Sequence, residues 1–490
     1  VIRVSILAVL MLLATRPAAA DSGWFESGDA LLRMDLQLLN DAEVIRMPLQ
    51  HWPIARATVA YAVRQAREHN AQNTAVAQAL TRVRARLEER RGLGLSASAT
   101  AGNAGLLRDF DTVGREDAEI SGRASYDAGR FSASVTVAGV SSPDDDQSLR
   151  LDGSHATVQL GNWLLSANTL ERFWGPSYES SLILSNNARP MPTVMVERAE
   201  ARAFESRWLN WLGPWRFTFG ISQMESDRED IDKPLFMAWR VALMPFKDVE
   251  IGFSRTAQFC GEQLSCTLDT FGNMLAGNDN VGIDATEENE PGNQMAGFDL
   301  RWQSPIGSWP YAIYAQAIGE DESSYLPSKF LSQYGLEAWK PFADGGVIQA
   351  FAEWSTTTCS YTSNRGPYYD CAYNQGRFGV EGYRYRGRVI GHTTDSDAEN
   401  FALGARYTTP GGTLWTATAR ASRLNHDGFD PRNLVSAGPA DYAALDLGWH
   451  GSWREESISV ELGVESLEPL GGEREVEPFG FVRWKHDFAP

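Results

Sequence analysis

Apart from its first residues, no stretch of this 490-residue chain is apolar enough for the roughly 20 residues that a helix needs to cross a bilayer. A multi-span helical membrane protein is thereby excluded. Histidine is scarce, with seven in all, none in an H-E-x-x-H pair, and no G-x-S-x-G elbow accompanies the many serines. The commonest zinc-peptidase and α/β-hydrolase signatures are therefore missing. A hydrolase could still gather serine and histidine from distant strands, because triads are defined by geometry rather than order. Cysteine is scarcer still. The four form two local sets, Cys260 with Cys266 and Cys359 with Cys371, each among Gly, Ser, Thr, Asn or Tyr. Their spacings do not suit a metal knuckle and no histidine pair lies nearby, so the expectation is two local disulfides in an oxidising compartment and no metal. Positive charge is in deficit as well, 44 Lys and Arg against 63 Asp and Glu for a net −19, and no nucleic-acid partner is expected.

The compartment is written into the opening "VIRVSILAVLMLLATRPAAADSG". Arg3 supplies a positive start, Val4 to Ala14 an apolar core, and Ala18, Ala19 and Ala20 a small-residue cleavage site, the order of a secretory leader over residues 1–20. The chain is then expected to continue from Asp21 beyond the inner membrane.

Further along, strand periodicity dominates. Trp215, Phe217, Phe219 and Ile221 alternate with Arg216, Thr218, Gly220 and Ser222; Met237, Trp239, Val241 and Leu243 alternate with Ala238, Arg240 and Ala242. The same period-two pattern recurs around Phe401 to Tyr407 and Ile458 to Val464. A secreted sandwich also alternates. The distinguishing signal is 16 Trp, 15 Tyr and 22 Phe, many beside Gly and Pro near strand ends, as aromatic girdles require, with polar residues on the opposite face. Since no backbone group can stay unpaired in lipid, such strands cross only as a closed all-β transmembrane barrel. A last alternating strand, Val482, Trp484, His486 and Phe488, ends almost at the terminus. Residues 96–490, at about 22 residues per strand with its connection, predict about 18 antiparallel strands.

Before the barrel the period becomes helical. Leu32, Leu36 and Leu39 mark one helix, Ile54, Ala57 and Tyr61 a second, and Val76, Leu80, Val83 and Leu87 a third. Pro53 in "HWPIAR" suits a first helical turn, and Asn73 or Thr74 a cap. Three such helices over 21–95 must pack on one another or on the barrel. From Pro53 to Arg91 eight Arg face three Glu, which predicts a solvated helix face, with contact to lipid headgroups or an anionic polymer as the alternative.

The stretches "RFWGPSYESSLILSNNARPMP", "WLNWLGPWRFTFG", "EIGFSRTAQFCGEQLSC", "GNQMAGFDLRW" and "AIGEDESSYLPSKFLSQYGLE", with the opening "SGDALLRMDLQLLNDAEVIRMP", resemble the capsule-assembly outer-membrane family Wzi over nearly the whole mature chain. The resemblance implies an 18-stranded outer-membrane barrel and a periplasmic α-helical bundle; the missing catalytic signatures make no enzymatic activity and no cofactor the expectation. The resemblance also implies a lectin-like role in attaching capsular or exopolysaccharide to the cell surface. The implied partners are that polysaccharide, outer-membrane lipid and the polysaccharide export machinery.

Within the first stretch, a sugar polymer with hydroxyls, flat C–H faces and carboxylates would call for amides, aromatic faces and arginine forks. Arg172, Trp174, Tyr178, Asn186, Asn187 and Arg189 are the candidate polysaccharide-binding residues on that ground. The competing reading makes Trp and Tyr girdle residues and lets Arg and Asn pair across a filled lumen. The acid-rich "GNDNVGIDATEENEPGN", Gly277 to Asn293, offers oxygen ligands of the kind calcium takes but not the spacing of an EF-hand, so it reads first as a solvated loop. "GEDESSY", Gly319 to Tyr325, reads as a strand running into a loop. Against polysaccharide attachment stand a diffusion channel through the same polar lumen and, third, an outer-membrane hydrolase.

Overall fold

The computed structural model describes residues 22–488 apart from 90–91, 103–104, 112–113, 263–265, 270, 273–291, 305–309, 324–325, 361–366, 375–380, 429 and 455. Three helices come first: α1 (Ala30–Asp41), α2 (Arg56–Arg64) and α3 (Thr74–Glu88). The Asp29 carboxylate accepts the Leu32 N–H at 3.0 Å and the Asn73 side chain accepts the Ala75 N–H at 2.9 Å. Each cap satisfies a donor that the first turn leaves free. Leu32, Leu36 and Leu39 of α1 join Val76, Leu80 and Val83 of α3 in one buried cluster that also takes in Val347 and Leu414 of the barrel. Helices this short are marginal alone, and here they bury their apolar faces on each other and on the barrel.

Two details depart from the sequence reading. Pro53 does not open a helix: His51–Trp52 pairs with Phe173–Trp174, and Ile54–Ala55 pairs with Trp24–Phe25. The backbone on both sides of Pro53 is committed to β pairing, so α2 starts only at Arg56, after an extended Ala55. The expected solvated face is met in part: Arg64, Arg67 and Arg84 are exposed, but Arg56 is buried and Arg82 and Arg86 are half-buried. Arg56 donates to the carbonyls of Leu87 at 2.7 Å and Arg86 at 3.1 Å, meeting the negative end of α3. Arg82 grips Asp35 at 2.8 and 2.6 Å, and Arg86 and Arg84 pair with Asp29 and Glu68.

Among the described residues, eighteen antiparallel strand positions close into a barrel. The first strand, Leu93–Ala101, pairs with the last, Glu475–Asp487, in a register running from Gly480 opposite Ala101 to Asp487 opposite Gly94. Closure leaves no unpaired edge. One position is split, with Leu149–Arg150 and His155–Leu160 both lying against Phe131–Ser141.

The alternation inverts the pattern of a water-soluble fold. Along Trp215–Gln223 the inward Arg216, Thr218 and Ser222 are buried, while Trp215, Phe217, Phe219 and Ile221 stay partly exposed on the outer wall. Ile120 is 70% exposed and Leu462 61%, whereas Arg216 and Arg240 are 0% exposed. An apolar belt of this extent is a lipid-facing surface. Met237 is an exception on that face: it packs with Ala257, Phe259 and Cys260, and Phe271 folds against the same patch.

Short turns join the strands at one end, among them 129–130, 247–248, 342–346 and 409–413, with 199–214 the long exception. The other end carries long connections such as 102–117, 169–192 and 425–439. The helical region sits at the short-turn end, where the Arg46 guanidinium donates to the Met244 carbonyl at 2.7 Å and the Leu49 and Gln50 N–H groups donate to Glu250 at 2.8 Å. Disulfides join Cys260 to Cys266 and Cys359 to Cys371, as the sequence suggested.

Candidate functional site

The connection 169–192 does not stay on the rim but turns into the barrel. The Glu353 carboxylate, on strand Val347–Ser360, accepts Ser177 Oγ at 2.6 Å and the N–H groups of Tyr178 and Glu179 at 2.6 and 3.0 Å. Gln316 and Gln333 hold the same segment, through the Trp174 carbonyl at 2.8 Å and the Ser180 carbonyl at 3.1 Å. From the opposite end, Arg33 of α1 donates to the carbonyls of Pro176 and Ser177 at 2.7 and 2.8 Å. Helix and loop thus meet inside the barrel and fill the lumen at this level. A second layer closes over them: Tyr373 and Tyr383 donate their hydroxyls to the carbonyls of Leu182 and Ile183, both at 2.8 Å.

This packing decides where the six candidate residues lie. Arg172 donates to the Leu170 carbonyl at 3.1 Å and to Asn168 at 2.8 Å. Trp174 is 1% exposed and meets His51 edge to face at 5.5 Å. Tyr178 stacks on Phe351 at 4.9 Å, with the Arg33 and Arg406 guanidinium groups 4.3 and 4.5 Å from its ring centre. Asn186 donates to the Asp109 carbonyl at 3.1 Å, and Asn187 to that of Val389 at 3.0 Å. Arg189 holds Asp152 through two bonds of 2.8 and 3.0 Å and also pairs with Asp145. Burial works against the Arg189 charge, but its bonds to Asp152 and Asp145 prevail and raise its pKa. Arg172, Trp174 and Arg189 line one small cavity of about 20 Å³, but the structure does not gather all six residues around one ligand-sized space. Trp174 and Tyr178 are interior packing, the polar groups of Arg172 and Asn186 are spent on the chain itself, and Asn187 alone reaches the cavity described below.

The remaining sequence-marked segments are partly visible. Of Gly277 to Asn293, only residues 292 and 293 lie within the described residues. Glu320 is buried and accepts the Asn293 amide at 2.5 Å and the Tyr373 N–H at 3.1 Å. Ser355 contacts His392 at 3.0 Å and Ser132 contacts His155 at 3.1 Å, and all four side chains are buried. Out of reach of a polymer, these pairs serve the interior.

At the long-connection end lies a cavity of about 510 Å³, within the roughly 300–1,000 Å³ of small-ligand sites. Ser142, Asp144, Gly387 and Leu434 are exposed at its mouth. Arg108, Arg115, Arg386 and Arg388 line it. Arg388 pairs with Asp144, but Arg108, Arg115 and Arg386 form no ion pair with a described residue. Nε and Nη2 of Arg108 and Nη1 of Arg115 are buried without a hydrogen-bond partner. Burial pushes both pKa values down, and for Arg115 the neighbouring Arg108 and Arg388 push the same way. Glu171 and Glu116 act in the opposite direction on both, so the chain meets part of this positive charge, while the guanidinium nitrogens named above stay without a hydrogen bond.

The "RYRGRV" run builds the outer wall of this cavity. Arg384–Tyr385 and Arg388–Val389 pair across a two-residue turn in which Arg386 and Gly387 have φ of 49° and 69°, as a type I′ hairpin requires. Glycine adopts that conformation freely; arginine does not. The Glu225 carboxylate accepts the Arg386 N–H at 3.0 Å and helps hold it there. The dense arginine spacing of this run was a readable signal in the sequence; the contribution of Arg108 and Arg115 was not, because it depends on how 102–117 folds.

A closed barrel with an apolar belt, a filled polar lumen and long connections at one end defines an outer-membrane β-barrel protein. The model of the family described as capsule assembly protein Wzi matches residues 86–469, and the chain belongs to that family. A Klebsiella pneumoniae protein described as "Uncharacterized 55.8 kDa protein in cps region" is 31% identical over 342 residues, 69% of this chain and 66% of that protein. The solved structure of Wzi, an outer-membrane protein involved in group 1 capsule assembly in Escherichia coli and a carbohydrate-binding β-barrel, superposes with a TM-score of 0.82 at 23% identity. It covers 96% of this chain and 100% of that one.

Proposed function

We propose that this chain holds capsular or extracellular polysaccharide at the outer-membrane surface in a lectin-like manner and so assists capsule assembly. The observation that carries this reading is the filled lumen: α1 from one end and 169–192 from the other occupy the space a channel would leave open. The long connections and the arginine-lined cavity gather at the opposite end from the helices. Barrels of this class place short turns in the periplasm and longer loops outside. In that orientation the bundle of 21–95 faces the periplasm, 96–490 forms the membrane barrel with outer-membrane lipid against its apolar belt, and 1–20 is the removed leader. The cavity then faces the polymer, while the bundle lies on the side of the polysaccharide export machinery.

A strain lacking the protein should synthesise and export normal total polysaccharide but shed a larger share into the medium, measured as the ratio of cell-bound to free polymer. Unchanged retention would remove this reading. A diffusion channel predicts altered uptake of small solutes with normal retention, and a hydrolase predicts longer polymer chains in the same strain.

A further inference from the structure

The geometry points to the cavity lined by Arg108, Arg115 and the 384–389 hairpin as a binding site for a carboxylate-bearing sugar unit, with Arg108 and Arg115 holding the carboxylate. This rests on the proposed retention of polysaccharide and names the chemical class of polymer that the site would take.

Charge bookkeeping in the cavity separates these arginines from the rest. The lining includes acids, but most are already matched: Asp109 and Asp446 with Arg420, Asp111 with Arg406, Asp144 with Arg388 and Asp395 with Arg384. Asp117 accepts the Ser142 hydroxyl at 2.7 Å, and Glu461 is the remaining acid of the lining; outside the lining Glu116 is held by Arg150, and Glu171 offsets Arg108 and Arg115 without an ion pair to either. Arg115 uses one nitrogen, Nη2, on the Asn186 carbonyl at 3.1 Å. Arg108 makes no side-chain hydrogen bond through Nε or Nη2. Unpaired buried donors are costly, and a planar guanidinium fork matches a carboxylate through two parallel bonds. A neutral sugar would leave these guanidinium groups with only Glu171 and Glu116 as charge partners, whereas a uronate carboxylate would add a direct one.

Two further observations favour an anionic ligand drawn to one place. The chain carries a formal net charge of −19, so an acidic polymer is repelled by the molecule as a whole and must be met at a local positive patch. Arg386 lies at the cavity wall without an ion pair with a described residue and adds positive charge there. Apolar surface for a sugar's C–H face is present beside the arginines in Tyr442, Phe479, Leu106 and Val435.

The test uses the purified full barrel in detergent and, as probe, the surface polysaccharide of the native strain, fragmented and either intact or with its uronic carboxyls reduced to alcohols. The proteins are the unaltered chain, Arg108→Gln/Arg115→Gln, and Arg64→Gln/Arg84→Gln as a charge-matched control at the helical end. Carboxyl reduction should weaken binding to the unaltered chain by at least about tenfold, the loss expected for charge-assisted hydrogen bonds. The cavity variant should lose a similar factor for intact polymer and no longer distinguish the two forms, while the control behaves like the unaltered chain. Equal binding of intact and reduced polymer by the unaltered chain would overturn the carboxylate site and leave polysaccharide retention standing. So would a folded cavity variant that still discriminates. No binding of either form would remove both. If the cavity variant fails to assemble, the carboxyl-reduction arm on the unaltered chain decides alone.

Discussion

Arginine plays opposite parts in the lumen and at the cavity near the long connections. Inside, Arg216 pairs with Glu197 at 2.7 Å, Arg301 with Asp41 at 2.8 Å and Arg240 with Asp299; Arg420, which also lines the cavity, is held by Glu179, Asp109 and Asp446. At the cavity, Arg108, Arg115 and Arg386 have no such partner among the described residues. The difference follows from neighbours. A charge enclosed within the barrel is costly unless matched, and these lumen arginines each meet a carboxylate, whereas Arg33 and Arg172 are held by backbone carbonyls and Asn168. At the cavity, an incoming ligand can supply what the chain does not. Residue type therefore says little about role; the presence of a partner says much.

If the lumen pairs hold the barrel in shape, unpairing one should have the largest effect. Asp299→Ala strands the Arg240 guanidinium, which also bonds Ser254 at 2.8 Å, and removing one partner of a buried pair costs about 3–5 kcal/mol. Heat-modifiable gel migration should show a lower unfolding temperature and less assembled barrel. A variant as stable as the parent would mean that the pair is dispensable. A smaller effect is expected at the connections. Cys359→Ser/Cys371→Ser releases a cross-link spanning 12 residues, worth about 2–4 kcal/mol in general. Faster proteolytic nicking near Tyr368 should result, with the barrel still assembled.

The smallest effect concerns pH at the same end. Burial lifts the Asp397 pKa to about 7, with Asp427 and Asp370 pushing the same way and the Asp370 N–H, 2.7 Å away, opposing. An acid whose folded pKa lies above its unfolded value favours the folded state most at low pH and loses that contribution as pH rises toward the folded pKa. Hydrogen exchange at residues 395–398, with intrinsic rates corrected for pH, should accordingly show greater protection at pH 6 than at pH 8, and Asp397→Asn should abolish the difference. Greater protection at pH 8 would have the wrong sign.

Much of the architecture was legible in the sequence because it rests on local periodicity. Phe217 against Thr218, or Leu462 against Glu461, already states which face meets lipid, and the helical spacing of Leu32, Leu36 and Leu39 states which face is buried. Asn73 as a cap and the two disulfides follow from equally local chemistry. Pro53 misled because its neighbours are held by strands distant in sequence, Trp24–Phe25 and Phe173–Trp174. The candidate site was harder for the same reason. Trp174, Tyr178 and Arg189 have the side chains of a sugar site, but the path of 169–192 into the lumen and the acids at 145 and 152 determine what they touch. That path is a tertiary fact without a period to announce it.

The division between paired and unpaired arginine is tested most directly on living cells. A strain lacking the protein would be complemented with the unaltered chain, with Arg189→Ala, whose guanidinium is spent on Asp145 and Asp152, or with Arg108→Gln/Arg115→Gln, all at matched outer-membrane levels. The cell-bound fraction of polysaccharide is the readout. The unaltered chain and Arg189→Ala should restore retention, and the cavity variant should leave the polymer shed into the medium. Full retention by the cavity variant, with loss in Arg189→Ala, would contradict the assignment and return the site to the 172–189 segment.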